Sequence, residues 1–447
     1  MSDASQRRLR KELGVLDATS IVAGIIIGAG LFIITGIAAK YAGALVWLSY
    51  LIGAVPVILI GITTASLSTF YPVEGGSYVY PSRILHPILG FLTGWSMWLA
   101  IIGPIAITAR AFISYLNALP GVSWKVSTVI GAVIVTVIFF VINYLGIKVV
   151  AWVQNALFLF LVAGTLAFSF WGLFHINISY LSLGSPLGLG GVLKAASLLI
   201  FSYAGLTIAT DIGEEVKSPS VLPKAVLLGV LIPVVLYTLS SFVCVGVLPW
   251  SEFASSEAPY AAAASIFMGP LGTTFVILVA WAAILTSHNG EQATAARVAF
   301  ALSRDKILPG LYKINRFGIP HVALILGDVI AIFLILTGTV ELVAEIVVAA
   351  FLFEWIMFHL SIFFLPRKHP EMYRKTKFFK LEGWKLIFPA AGLAISVYFF
   401  FLQGARALMY FGIWLAIGLL IYFIRVSQNK EEIMRLIREW PRGRYLE

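Results

Sequence analysis

A chain of 447 residues that is 60% hydrophobic and 12% charged, with a mean hydropathy of +0.96, is too apolar for a water-soluble globular protein. Soluble domains carry about 25% charged residues and do not expose apolar patches on this scale. The net charge of +10 is no nucleic-acid patch either, because the lysines and arginines fall in short clusters between apolar runs.

The composition therefore points to an all-α integral membrane protein of the cell membrane, with the lipid bilayer as its surroundings and no nucleic-acid partner. One cysteine, Cys244, lies in an apolar run, which excludes a disulfide framework and reads as a small buried hydrophobe. The N-terminal MSDASQRRLRKELG is polar and its following apolar run is a full span, so no cleavable signal is expected.

A spanning helix needs roughly 20 mostly apolar residues. Runs of that kind occur at 15–40, 43–70, 86–117, 125–145, 150–173, 192–212, 223–248, 271–299, 320–338, 340–365, 385–404 and 407–425. Only Thr337-Gly338-Thr339 separates the ninth from the tenth. Twelve spans, an even number, put both ends on one side. With the N-terminus in the cytoplasm, Arg7, Arg8, Arg10, Lys11, Arg83, Lys148, Lys217, Lys224, Arg304, Lys306, Lys313 and Arg316 all lie inside. The 367–385 cluster and the tail after Arg425 join them. Outside remain Lys40, Lys125, Lys194 and Arg406, together with the acids Glu252 and Glu257. This asymmetry satisfies the positive-inside rule and places both termini in the cytoplasm.

The first run contains IIIGAGLF, a glycine cluster at mid-membrane depth, and the sixth contains LLIFSYAGLTIAT, about 175 residues further on. Five spans separate them, so the second copy crosses in the opposite direction. That is the pattern of inverted five-helix repeats whose first helices are broken. The expected organisation is a cytoplasmic segment 1–14, a first repeat 15–173 and an inverted second repeat 192–365. A basic cytoplasmic loop 366–384, two additional helices over 385–425 and a cytoplasmic tail 426–447 complete the chain.

Gly28, Ala29 and Gly30 leave little bulk around the backbone. An unwound stretch there exposes amide N–H groups that need partners at membrane depth. A substrate carboxylate supplies them, aided by the dipole of the following half-helix. Helix packing through Gly24, Gly28 and Gly36 is the competing account; the matching interruption at Ser202-Tyr203-Ala204-Gly205 favours a site. Beyond it, Asp211, Glu214 and Glu215 read as a solvated helix end or as part of a gate.

IIIGAGLF resembles the first-helix signature of the amino acid–polyamine–organocation superfamily, and FSYAGLTIATDIGEEVKSPSVLP resembles its sixth helix with the acidic loop that follows. YPVEGGSYVYPSR (71–83) is similar to its loop between the second and third helices, and NGEQATAARVAFALSRDKILP (289–309) to the end of its eighth. The four motifs follow in order from residue 14 to about 330, whereas the last hundred residues match only in hydropathy.

The resemblance implies a LeuT-type fold, a 5+5 inverted repeat with helices one and six broken, and alternating access around a mid-membrane site. Carried over by position, Gly28, Ala29 and Gly30, with the adjoining Ile27, bind the substrate carboxylate. Carbonyls near Phe201, Ser202 and Ala204, beside Gly205, receive the ammonium, and Phe201 stands as a gate or as an ordinary core ring.

Position 207 bears on the cargo. Relatives that handle cations often carry an acid two places after the helix-six glycine. Here the order is Gly205-Leu206-Thr207, without a countercharge, which favours a neutral amino acid because an unpaired buried cation is costly. Glu291, Glu345 and Glu354 are the acids that keep a cationic amino acid or polyamine as the alternative.

Proton-coupled relatives place a lysine in helix five at a position that falls near Leu161 here, and no lysine lies between 149 and 193. Ala283, Thr286 and Ser287 instead resemble a sodium site, whose hydroxyls and helix-one carbonyls suit a hard cation. The other account is that these hydroxyls bond back to their own helix. Ion-coupled symport, with sodium as the coupling ion, and ion-independent exchange both stay open, ahead of a proton route other than that lysine, and no other cofactor is expected.

Arg110 either pairs with an acid or snorkels to the outer interface. His288 is a proton switch or an inert hydrogen-bonded ring; His359 and Asp328 have no assignable partner. No HExxH, GxSxG or CxxC motif supports an enzyme, and the internal repeat sets the chain apart from a channel. A non-transporting amino-acid sensor would keep the same site. The oligomeric state is not encoded in these features.

Overall fold

The computed structural model of the protein describes residues 30–70, 76–146, 151–182, 184–203, 221–304, 313–375 and 379–439. It adds single or paired positions at 14, 15, 19, 23, 26–28, 205, 206, 218, 308, 310 and 311. Every regular element among them is helical. The helices are α1 (Thr35–Ala42), α2 (Val46–Phe70), α3 (Gly76–Ile84), α4 (Pro87–Asn117), α5 (Thr128–Tyr144), α6 (Ala151–Leu173) and α7 (Gly188–Leu199). They continue with α8 (Val221–Val247), α9 (Pro259–Phe267), α10 (Gly269–Arg304), α11 (His321–Thr337), α12 (Val340–Lys368), α13 (Ile387–Phe401) and α14 (Ala405–Glu439).

Among the described residues, eight helical stretches are long and apolar enough to cross a bilayer, and three shorter apolar helices (α5, α11 and Gly188–Tyr203) accompany them. One stretch, Gly30–Phe70, joins the end of the first expected run to the whole of the second. Its corner is Gly43, with φ +59°, where an added Cβ would meet the Gly184 carbonyl and the Pro186 ring. A side chain there would fail on both counts. Between the ninth and tenth runs, α11 ends at Thr337 and Thr339 caps α12, accepting a hydrogen bond from Leu342 N at 3.2 Å.

The longest helices form the centre. α4 packs on α10, α12, α11 and α5; α10 packs on α6, α11 and α5. A second group joins α2 to α8 and α7, and α1 to α7. Thus α1 meets α7, α2 meets α8, α4 meets α10, and α5 meets α11. The C-terminal helices fasten to different partners. Trp95 of α4 and Trp414 of α14 stack at 4.3 Å and donate indole N–H bonds to each other's carbonyls at 2.8 and 3.0 Å. α13 is tied to α7, where Ser197 donates to the Phe399 carbonyl at 3.1 Å and Lys194 to that of Leu402 at 2.9 Å.

Candidate functional site

The first break is visible in the backbone. Ile27 N still bonds to the Ala23 carbonyl at 2.9 Å, but Ile27 and Gly28 bend, and Gly30–Ile34 form a π-helical turn before α1 begins at Thr35. π turns inside helices mark places where the regular bond ladder is interrupted, frequently at functional sites. The second break mirrors it at the end of α7, where Ile200–Tyr203 tighten into a 3₁₀ turn and Gly205 takes φ +99°. Ala29, Ala204 and Thr207, like Asp211, Glu214 and Glu215, lie outside the described residues.

The two breaks touch. A Cβ added at Gly30 would stand 2.7 Å from Ser202 Cα and 2.8 Å from its Oγ. A Cβ added at Gly28 would stand 2.6 Å from Ser287 Oγ on α10. Three of the segments singled out in the sequence therefore converge, and glycine is what lets them do so. Ile27 and Phe201 are buried in the adjoining core, as is Leu161 of α6.

Four tyrosines gather at the breaks, and two of them, Tyr237 and Tyr115, satisfy carbonyls that the breaks release; of the four, only Tyr203 belonged to a segment singled out in the sequence. Tyr237 of α8 stands 3.0 Å from both the Ile26 and the Ser202 carbonyl, so one phenolic hydrogen is shared across the two broken segments. Tyr115 of α4 donates to the Phe32 carbonyl at 2.8 Å, within the π turn. Tyr203 donates to the Tyr50 carbonyl at 3.1 Å. Tyr50 OH lies 2.6 Å from Thr35 Oγ1 and 3.4 Å from Ser202 Oγ. The signal was available: a buried tyrosine needs a partner for its hydroxyl, and interrupted helices need donors for their carbonyls.

The hydroxyl pair of α10 is split in its behaviour. Thr286 Oγ1 donates back to its own helix, 2.7 Å from the Ala282 carbonyl and 3.0 Å from that of Ala283, which leaves its lone pairs to accept a cation. Ser287 faces Gly28, while Ala283 is buried.

Several other ionisable groups have partners among the described residues. Arg110 has no acid partner among them; it donates to the Ile335 carbonyl, among the last carbonyls of α11, where a cation suits the helix dipole. Glu345 forms an ion pair with Lys194 of α7. His359 Nδ1 lies 2.9 Å from Thr63 Oγ1, and Asp328 and Glu354 are buried. A cavity of about 650 Å³ is lined by Ser114, Asn117, Lys125, Glu257, Ala262 and Thr273 among others, none of them a residue of either break.

A multi-pass helical membrane protein whose two interrupted helices meet at their breaks has the architecture of a solute carrier. The comparisons with known proteins specify which. The profile of the amino acid permease family matches residues 13–424, and the chain belongs to that family. It is a permease-type protein and not an enzyme. A branched-chain amino acid permease of Bacillus subtilis (strain 168) is 26% identical over 94% of both chains. A methylthioribose transporter of the same organism is 27% identical over 95% of both. Its serine/threonine exchanger is 29% identical over 80% of this chain and 84% of its own.

Proposed function

We propose that the protein carries a neutral amino acid across the cell membrane by alternating access, as an ion-coupled symporter or an exchanger. The carrying observation is the contact of the two breaks, Gly30 on Ser202, which brings half-helix ends of opposite polarity to one point. The substrate carboxylate binds at Ile27-Gly28-Ala29-Gly30. The ammonium binds at the carbonyls around Phe201, Ser202 and Ala204. The Ser202 carbonyl accepts from Tyr237 and keeps a second lone pair for the ligand. Gly205 and Thr207 border the pocket.

The packing of α1 on α7, α2 on α8, α4 on α10 and α5 on α11 supports a twelve-helix reading with two inverted five-helix repeats. A two-fold axis in the membrane plane would bring these four pairs of counterparts together and would relate the α4–α12 contact to that of α10 with α6. Helices α13 and α14 stand outside the repeat, and the basic loops place both termini in the cytoplasm.

The neutral preference rests on Thr207, on the engagement of Glu345 by Lys194, and on relatives named for branched-chain amino acids and for serine and threonine. Ala283, Thr286, Ser287 and the helix-one carbonyls form the proposed sodium site. The test is a ligand-induced thermal-stabilisation scan of purified protein with the common amino acids, polyamines and methylthioribose, with and without sodium. Stabilisation by leucine, serine or similar solutes is expected. A response confined to arginine or a polyamine would transfer the reading to cationic cargo, and a response to methylthioribose alone would remove the amino-acid assignment.

A further inference from the structure

Glu291, on α10 one turn beyond Ser287, accepts a hydrogen bond at 3.1 Å from Thr108 Oγ1 of α4. The same hydroxyl lies 2.8 Å from His288 Nδ1, so three polar side chains of two long apolar helices form one connected group. Thr108 has a single hydroxyl hydrogen, and its oxygen also lies 2.8 Å from the Pro104 carbonyl and 3.1 Å from that of Ile105.

An ionised Glu291 must take that hydrogen from the carbonyls. A protonated Glu291 reverses the arrangement: its O–H donates to Thr108 Oγ1, whose own hydrogen goes to Pro104, while the second lone pair accepts the His288 N–H. The Glu291 O–H, the Thr108 hydroxyl and the His288 Nδ1–H then each have a partner. Among the described residues the carboxylate has no cationic partner. The ionisable groups of α10 and of the elements packed on it are accounted for. His288, the exposed Arg297 and, at its last position, Arg304 lie on α10 itself. Arg110 of α4 is turned to the Ile335 carbonyl and Tyr115 of α4 to that of Phe32, α11 brings Asp328 and His321, and α5 and α9 bring only Tyr144 and Tyr260. The described side chains of α6 bring none.

Access follows the helix surface. Gly28, Thr286, Ser287 and Glu291 are each partly exposed, whereas Ala283, Ile284, His288 and Gln292 are buried. Ser287, which meets Gly28 at the first break, and Glu291 one turn further on are thus both partly exposed.

From this geometry we infer that Glu291 is a proton-binding site, which takes one proton with each amino acid and releases it on the opposite side. The inference rests on the transport reading above. Open to the more acidic side, the carboxylate takes a proton from water. Closed, it holds the proton as a carboxyl bonded to Thr108. Open to the other side, it returns the proton to water. A zwitterion moved with one proton carries one positive charge.

The test uses proteoliposomes in sodium-free medium with a labelled neutral amino acid. An acid-outside gradient of one pH unit drives about tenfold accumulation at one proton per solute. The wild type is expected to show this, with substrate-dependent internal acidification read by a trapped pH dye. Glu291→Gln is expected to lose the gradient-driven accumulation and keep counterflow of the same solute. Accumulation left intact in that variant, or no acidification by the wild type, overturns the assignment. If Glu291→Gln also loses counterflow, Glu291→Asp decides: a moved pH midpoint of accumulation supports the site and an unmoved one overturns it. Wild-type protein without counterflow of any amino acid, either without sodium or after sodium is added, would defeat the transport reading itself, a different failure.

Discussion

Adding one methyl group at Gly30 and at Gly28 should have unequal effects, and the difference can be worked out from the atoms each Cβ would meet. At Gly30 the obstruction is backbone: Ser202 Cα at 2.7 Å, with its Oγ at 2.8 Å. Nothing short of moving the second break relieves it, so Gly30→Ala carries the overpacking cost of about 1–3 kcal/mol. If that cost falls on the state in which the breaks touch, the population of this state drops roughly 5- to 150-fold. At Gly28 the obstruction is the Ser287 hydroxyl at 2.6 Å, with Cβ at an ordinary 3.5 Å. A partly exposed serine can turn to another staggered position for about 1 kcal/mol or less.

Gly30→Ala should thus be strongly impaired and Gly28→Ala mildly so. Ser287→Ala should rescue the latter, whereas Ser202→Ala should not rescue the former, because its Cα remains. Initial rates of proteoliposome counterflow, normalised to monodisperse protein, compare these four variants with the wild type. Equal activity of Gly30→Ala and wild type, or rescue of Gly30→Ala by Ser202→Ala, would refute the argument.

Replacing Thr207 by Glu should restore the missing countercharge and shift selectivity toward arginine over leucine by about tenfold or more, ~1.4 kcal/mol; unchanged selectivity in competition uptake removes the charge argument. Converting Thr286 and Ser287 together to Ala should abolish any sodium stimulation, and a sodium response equal to wild type rejects that site. Tyr237→Phe leaves the Ile26 and Ser202 carbonyls without their shared donor, at a cost of about 1–3 kcal/mol. It should lower the melting temperature in detergent and slow counterflow. Wild-type values for both would mean that the phenol does not hold the breaks together.

Helices made of continuous apolar residues were legible in advance. The expected 86–117 and 320–338 runs end within a residue of α4 and α11, because composition alone decides where such a helix leaves the bilayer. Hydropathy said nothing of the short helices Ile178–Leu181, Trp250–Ser255 and Pro370–Lys375, which lack a spanning run, nor of the extension of α14 to Glu439. That last segment is polar and helical, and hydropathy registers only the first property. The breaks were legible at Gly28 and Ser202 because small residues interrupt otherwise bulky spans. Their bonding was not. Tyr237 sits 35 residues from Ser202 and 211 from Ile26, and no local pattern links a phenol to carbonyls so far along the chain. The same holds for Thr108 and Glu291, which are 183 residues apart.

Counterflow in proteoliposomes tests the central claim most directly. Vesicles loaded with an unlabelled neutral amino acid should draw in the labelled solute above its equilibrium level, saturably, and only when the protein is present. Gly30→Val should abolish this uptake while remaining monodisperse. Binding of an amino acid without counterflow of any would show a receptor in place of a carrier and contradict the account.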